Sequence, residues 1–232
     1  MTSKKQLTNQ VDEKEIETEE FEAEAELLLP IETILSAGMH IGTRIKTKDL
    51  EPFIYRVRPD GLFVLDVKQT DERIRAAARF ISRLEPSRVV VVSARIYGRV
   101  PVEKFCEVTK AVPIIGRFPP GLISNPSYSG HLHPHLVIVT DPNADRQVLK
   151  EAASMGVPVL ALVDTDNSLS NIDFIIPVNN KGRRSLATVY WLLARQILRE
   201  NGEISPDGEL QISIDEFETK PIETVPDQFE EE

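Results

Sequence analysis

Cysteine is nearly missing from this sequence: Cys106 is its one thiol, so no disulfide can close within the chain, the usual state of a protein kept in a reducing compartment. Aromatic residues make up only 6% of the 232 positions. No apolar run approaches the roughly 20 residues that a membrane-spanning helix needs, and Met1 to Glu26 is too acidic for a secretory signal or a transit peptide. Also missing are the glycine-rich phosphate cradles, G-x-x-x-x-G-K-[ST] and G-x-G-x-x-G after the first strand. These gaps point away from secreted, membrane-spanning and nucleotide-hydrolysing proteins. They leave an intracellular, soluble protein with no cofactor and no small-molecule substrate as the expectation.

Charge is plentiful and unevenly spread. The net charge is −10, yet residues 1–30 hold 3 Lys+Arg against 9 Asp+Glu and residues 201–232 hold 1 against 11, leaving 23 basic and 17 acidic residues in 31–200. A basic body between two acidic ends suits contact with a polyanion, because like charges keep the ends away from phosphate. The expected organisation is an acidic flexible tail over 1–27, one α/β domain over 28–200 and an acidic, mostly flexible tail over 201–232. A short edge strand is conceivable at Leu210 to Ile214.

Within the body the apolar pattern alternates between strand and helix. Ile31, Ile34 and Leu35 have helical spacing and Gly38 supplies a stop. Two short strands are expected about Pro59-Asp60-Gly61, then a helix from Asp71 to Leu84. The β-branched run Val89 to Ser93 reads as a strand covered on both faces. A helix opened by Pro101 follows, with Val102, Phe105, Cys106 and Thr109 inward, which makes Cys106 core rather than nucleophile. Strands at 113–116, 136–140, 158–163 and 174–177 and a helix at 144–155 continue the alternation, the signature of parallel βαβ units. The Pro-, Gly- and Ser-rich stretch from Gly116 to Gly130 reads as a wandering surface loop.

Loops that follow strand C-termini form the functional edge of such a sheet. The most informative is N-N-K-G-R-R, where Asn179, Asn180, Lys181, Arg183 and Arg184 stand at a helix N-terminus whose unpaired N–H groups and dipole already favour an anion. Arg95, Tyr97, Arg99 and Arg117 fall in other loops of this edge. Arg44, Lys46, Lys48, Arg56 and Arg58 surround Tyr55 in an extended segment, a pattern shared by nucleic-acid surfaces and ordinary solvated hairpins. Arg75, Arg79 and Arg83 form a row at i, i+4, i+8 on the outer face of a helix, where Glu72 alone begins to offset them.

Two catalytic or metal readings are available and weaker. His131, His133 and His135 alternate in H-L-H-P-H, but no fourth ligand stands at a zinc spacing, so no metal is expected. D-T-D-N after the strand at 158–163 resembles the aspartate pair of magnesium-dependent phosphotransferases, with Asp164 and Asp166 as the candidate pair. Such an enzyme needs a downstream Lys and a further acidic pair at the same edge, which the sequence does not place, so a turn built by Asp and Asn side chains is the favoured reading. A third reading makes the acidic tails a protein-interaction module.

The strings G-M-H-I-G-T-R, T-K-D-L-E-P-F-I-Y, D-G-L-F-V-L-D-V-K-Q-T-D-E-R-I, S-A-R-I-Y-G-R-V-P-V-E-K-F, I-G-R-F-P-P-G, V-T-D-P-N-A-D and I-P-V-N-N-K-G-R-R-S-L resemble, in order and interval, the universal small-subunit ribosomal protein two family. The likeness is to its archaeal form, related to the animal laminin-receptor precursor, and spans about Ile31 to Asn201. It implies a single three-layer α/β/α flavodoxin-like domain with a mainly parallel sheet. It also implies binding of small-subunit rRNA, contacts with neighbouring ribosomal proteins and no catalysis. The family's basic segment falls on Arg44, Lys46 and Lys48, its S-x-R-x-Y-G loop on Arg95 and Tyr97, and its N-N-K-G loop on Asn179 to Gly182. Two departures stand out. Animal relatives carry Ala-His where this chain has Arg183-Arg184, and the long helical hairpin of bacterial relatives is missing.

Overall fold

A computed structural model describes residues 27–206 and 208–220. Nearly all of the expected 1–27 tail, and residues 221–232, lie outside the described residues. The elements in chain order are α1 (Ile31–Ala37), β1 (Ile54–Val57), β2 (Phe63–Leu65), α2 (Val67–Ile81), β3 (Val89–Ser93), α3 (Arg99–Thr109), β4 (Val112–Ile115), β5 (Leu136–Val139), α4 (Arg146–Met155), β6 (Val159–Val163), β7 (Phe174–Pro177), α5 (Arg183–Glu200) and α6 (Ile214–Phe217).

Strands β3 to β7 form one parallel sheet in the order β4-β3-β5-β6-β7, while β1 and β2 pair antiparallel in a separate hairpin. Numbered among themselves, the five parallel strands read 2-1-3-4-5, the flavodoxin-like order with its switch point between β3 and β5. The β-branched run at 89–93 is buried throughout, as expected of a strand covered on both sides. Its alternate residues face different layers. Val89 and Val91 join Leu136, Ile138, Leu160, Leu162 and Ile176 under α1, α2, α3 and α5. Val90 and Val92 join Val137, Val139 and Ala161 beneath α4 and the irregular stretch that carries Phe118, Leu122 and Ile123. The result is the expected three-layer α/β/α sandwich.

The long loop after β4 has no helix or strand up to β5. Glu151 of α4, 5% exposed, holds it by accepting from the N–H groups of Gly121, Ile123 and Ser124 and from the Ser124 hydroxyl. Burial pushes the Glu151 carboxyl up, but these donors and Gln147 outweigh that effect and hold it below the usual glutamate value.

Several boundaries differ from those the sequence suggests. Helix α2 starts at Val67 rather than Asp71, because the Asp66 carboxylate caps it by accepting from Lys68 N–H at 2.9 Å. Helix α4 starts at Arg146 rather than Ala144, because Ala144 and Asp145 belong to a turn whose N–H groups both return to the Asp141 carbonyl. The largest difference is past Asn201. No edge strand forms at Leu210 to Ile214; residues 208–220 fold back instead, with α6 bounded by a capping box between Ser213 and Glu216. Phe217 is wholly buried in the core, and Trp191 Nε1 donates to the Ile212 carbonyl at 2.7 Å. One aromatic anchor and one capping motif order a stretch whose mean composition suggests flexibility.

Candidate nucleic-acid interface

A parallel sheet gathers the loops after its strands at one edge, and here the N-terminal basic segment is fastened to the same place. Thr43 N–H donates to Thr165 Oγ1, Thr47 N–H donates to the Thr165 carbonyl, and Thr47 Oγ1 donates to the Asn167 carbonyl. Gly42 allows this approach: a Cβ there would lie 2.6 Å from Thr165 Cγ2 and 2.9 Å from the Phe63 carbonyl oxygen. Arg44, Lys46 and Lys48 therefore lie along the edge formed by the loops after β3, β4, β6 and β7. Tyr97, Arg99, Arg117 and Arg184 are exposed on those loops and on the helix starts that follow them.

Beneath the exposed groups is a buried polar network. Arg95 pairs through Nε with Asp141, which is fully buried. Asp141 also accepts from Asn143 N–H and from the Asn167 amide. Asn167 accepts from Asp164 N–H and from Asn180 Nδ2. Lys181 closes the chain with ion pairs to Asp164 at 3.2 Å and Asp166 at 2.7 Å. Desolvation raises the carboxyl of Asp164, 1% exposed, against the opposing pull of Lys181. Asp145, 2% exposed, is pushed up to about 6 by burial, with Asp141 adding to the rise. Side chains thus fill the β3/β5 switch point, where flavodoxin-like folds hold a ligand. Gly98 is what lets them pack there, since a Cβ would meet Ser93 Oγ at 2.2 Å and Thr140 Cγ2 at 3.2 Å.

The candidate residues therefore divide. Arg44, Lys48, Arg99, Arg117 and Arg184 are exposed and form no ion pair among the described residues. Lys46 pairs with Glu51 at 2.7 Å and Arg58 with Asp60 at 3.9 Å, both on the surface. Arg56, half-buried, lies with Tyr55 on β1. Arg95 and Lys181 are committed to buried carboxylates. Asn179 is a structural cap: its Oδ1 accepts from Lys181 and Gly182 N–H while its Nδ2 donates to the Gly38 carbonyl. Asn180 is fully buried and donates to the Leu162 carbonyl. Both asparagines shape the loop and do not reach outward.

The row Arg75, Arg79 and Arg83 does not join this edge. Arg75 pairs with Asp71 at 2.7 Å and Arg79 with Glu200 at 3.2 Å, so the row is offset by more than Glu72. Glu200 ends α5, about 25 Å of helix away from the loop at Arg183. The three histidines do not converge either. His131 and His133 stack edge to face with centroids 4.2 Å apart, whereas His135 meets Arg88 at 2.8 Å. Among the described residues no group of three or more His, Cys, Asp or Glu is placed to hold a metal ion. At Asp164 and Asp166 the Lys181 ammonium sits where a bridging cation would have to bind.

One participant was not legible as such. Glu218, in the folded-back C-terminal segment, meets Arg183 Nε at 2.6 Å, and Thr219 Oγ1 donates to the Tyr97 carbonyl at 3.1 Å. The S-x-x-E box before Phe217 was the available signal for that segment.

The family model described as Ribosomal protein S2 matches residues 126–200. The small ribosomal subunit protein uS2 of Staphylothermus marinus is 56% identical over 90% of this chain and 94% of its own length. Those of Thermofilum pendens and Korarchaeum cryptofilum are 52% and 55% identical, over 87% and 84% of this chain and 94% and 90% of their own lengths. With identity this high across nearly the whole length of archaeal relatives, the chain belongs to the ribosomal protein S2 (uS2) family in its archaeal form.

Proposed function

We propose that the C-terminal edge of the sheet holds small-subunit rRNA by its phosphate backbone, with Arg44, Lys48, Arg99, Arg117 and Arg184 making the contacts. As a member of the uS2 family the protein is a non-enzymatic, structural constituent of the small ribosomal subunit in the archaeal cytoplasm, with rRNA and ribosomal proteins as its partners. The observation that carries the finer reading is the layering of charge at that edge: the inner cations neutralise buried carboxylates, and the outer five face solvent with no carboxylate partner among the described residues. Unneutralised cations release counterions when they meet phosphate, which is the main source of sequence-independent affinity. Contacts of this kind position a protein on RNA and carry little sequence information. Lys46, Arg56, Arg58 and Arg183 stand at the margin of the site, each already engaged or half-buried. The RNA-binding unit is residues 28–200 together with the segment 208–220 that packs on it.

The test is a titration of a small-subunit rRNA fragment at a series of salt concentrations. Each exposed cation changed to Gln should lower the slope of log K against log salt by about 0.7–0.9. The same change at Arg79 or Arg83 should leave the slope alone. Binding that ignores salt, or equal effects from both groups, overturns the assignment.

A further inference from the structure

The folded-back C-terminal segment crosses the edge assigned to RNA. It is anchored by Phe217, fully buried, and by the Thr219 bond to the Tyr97 carbonyl. Its Glu218 carboxylate lies on the guanidinium of Arg183, the first residue of α5, at 2.6 Å, a pairing that a phosphate oxygen can make equally well. The Arg183 side chain is 38% exposed and that of Glu218 18%, so the pair faces solvent on one side and an incoming anion can reach it. Five of the twelve residues after Lys220 are carboxylates and none is a cation. We propose that the segment Ser213–Lys220 is an intramolecular competitor for RNA: Glu218 stands in for a phosphate on Arg183 in the free protein and yields that arginine when RNA binds. The inference rests on the reading of this edge as the rRNA site. It makes Arg183 a latent sixth contact, released by exchange of one anion for another.

The experiment compares the full chain with Glu218→Gln, Arg183→Gln and the double variant, each titrated against the same rRNA fragment across a salt series. Urea unfolding of each variant confirms that α6 and the core are intact. Glu218→Gln frees Arg183 in advance, so binding tightens on the order of fivefold at low salt, the range of a partly exposed ion pair, while the salt slope stays as it was because the same phosphate is met in both complexes. Arg183→Gln lowers the slope by about 0.7–0.9 in either background and abolishes the gain in affinity. If the unaltered chain shows no salt-dependent binding, the rRNA reading itself fails. If it binds and Glu218→Gln binds with the same or lower affinity, the segment is a structural clasp and the competitor inference is overturned while the rRNA reading stands.

Discussion

Removing the Lys181 ammonium tests whether that residue serves the loop or a ligand. Lys181 bridges Asp164, 1% exposed, at 3.2 Å and Asp166 at 2.7 Å, and its own side chain is 31% exposed. At an effective dielectric constant of about 20 the bridge to Asp164 is worth about 5 kcal/mol of gross Coulomb energy, most of which offsets the desolvation of the two charges. Stranding one partner of a fully buried pair costs about 3–5 kcal/mol. Water reaches Lys181, so Lys181→Met, which keeps the aliphatic stem, should cost about 2–3 kcal/mol. Burial already raises the Asp164 carboxyl, and loss of Lys181 raises it further. A group with a raised folded pKa gains stability as pH falls through that value, so the deficit of the variant should shrink as pH falls. Asp164→Asn in the same background removes the stranded charge and should recover about half of the loss, a coupling of about 1–2 kcal/mol. Urea unfolding of the four proteins of this cycle measures all of it. A Lys181→Met protein within about 0.5 kcal/mol of the parent, or strictly additive losses, would refute the account.

Three other outcomes follow from buried groups. The Asp145 carboxyl is pushed up to about 6, so between an unfolded value near 4 and that value the folded state holds the extra proton and this residue's contribution to stability falls as pH rises; Asp145→Asn should flatten that part of the stability profile, by up to about 3 kcal/mol between pH 4 and pH 7. Gly98→Ala drives a methyl into Ser93 Oγ at the sheet switch point and should cost about 1–3 kcal/mol in urea unfolding. Cys106 is 4% exposed and its thiol is pushed up to about 12 by burial, so thiol reagents should modify it only as fast as the protein unfolds.

The sheet was legible because strands covered on both faces need apolar side chains almost throughout, and 89–92 and 159–163 supply them. The basic edge was legible because chain order puts 95–99, 117 and 179–184 directly after strands. The pairing of individual cations was not. Arg95 finds Asp141 and Lys181 finds Asp166 across 46 and 15 residues of sequence, and a local count of charge cannot see such partners. The same limit explains the arginine row on α2, which looks open in sequence because Asp71 falls at the expected helix start and Glu200 lies 121 residues from Arg79. The C-terminal segment misled for a different reason. An average over 32 residues is dominated by 11 carboxylates, whereas its docking is decided by Phe217 and two flanking isoleucines that pack on the core.

The layering of cations also changes how a loss of RNA binding should be interpreted. Moving Lys181 to a phosphate would leave Asp164 charged and buried, so we propose that this residue serves the loop rather than the RNA even though it is central to the basic loop. Neutralising it should weaken RNA binding by loosening the loop between β7 and α5, with little change in the number of counterions released. Neutralising Arg184, exposed one position into α5, should leave stability nearly unchanged and lower the salt slope by about 0.7–0.9. Affinity alone would score the two variants alike. Slope and stability together separate a residue that builds the surface from one that touches the RNA, and on the proposed reading Lys181 falls in the first class and Arg184 in the second.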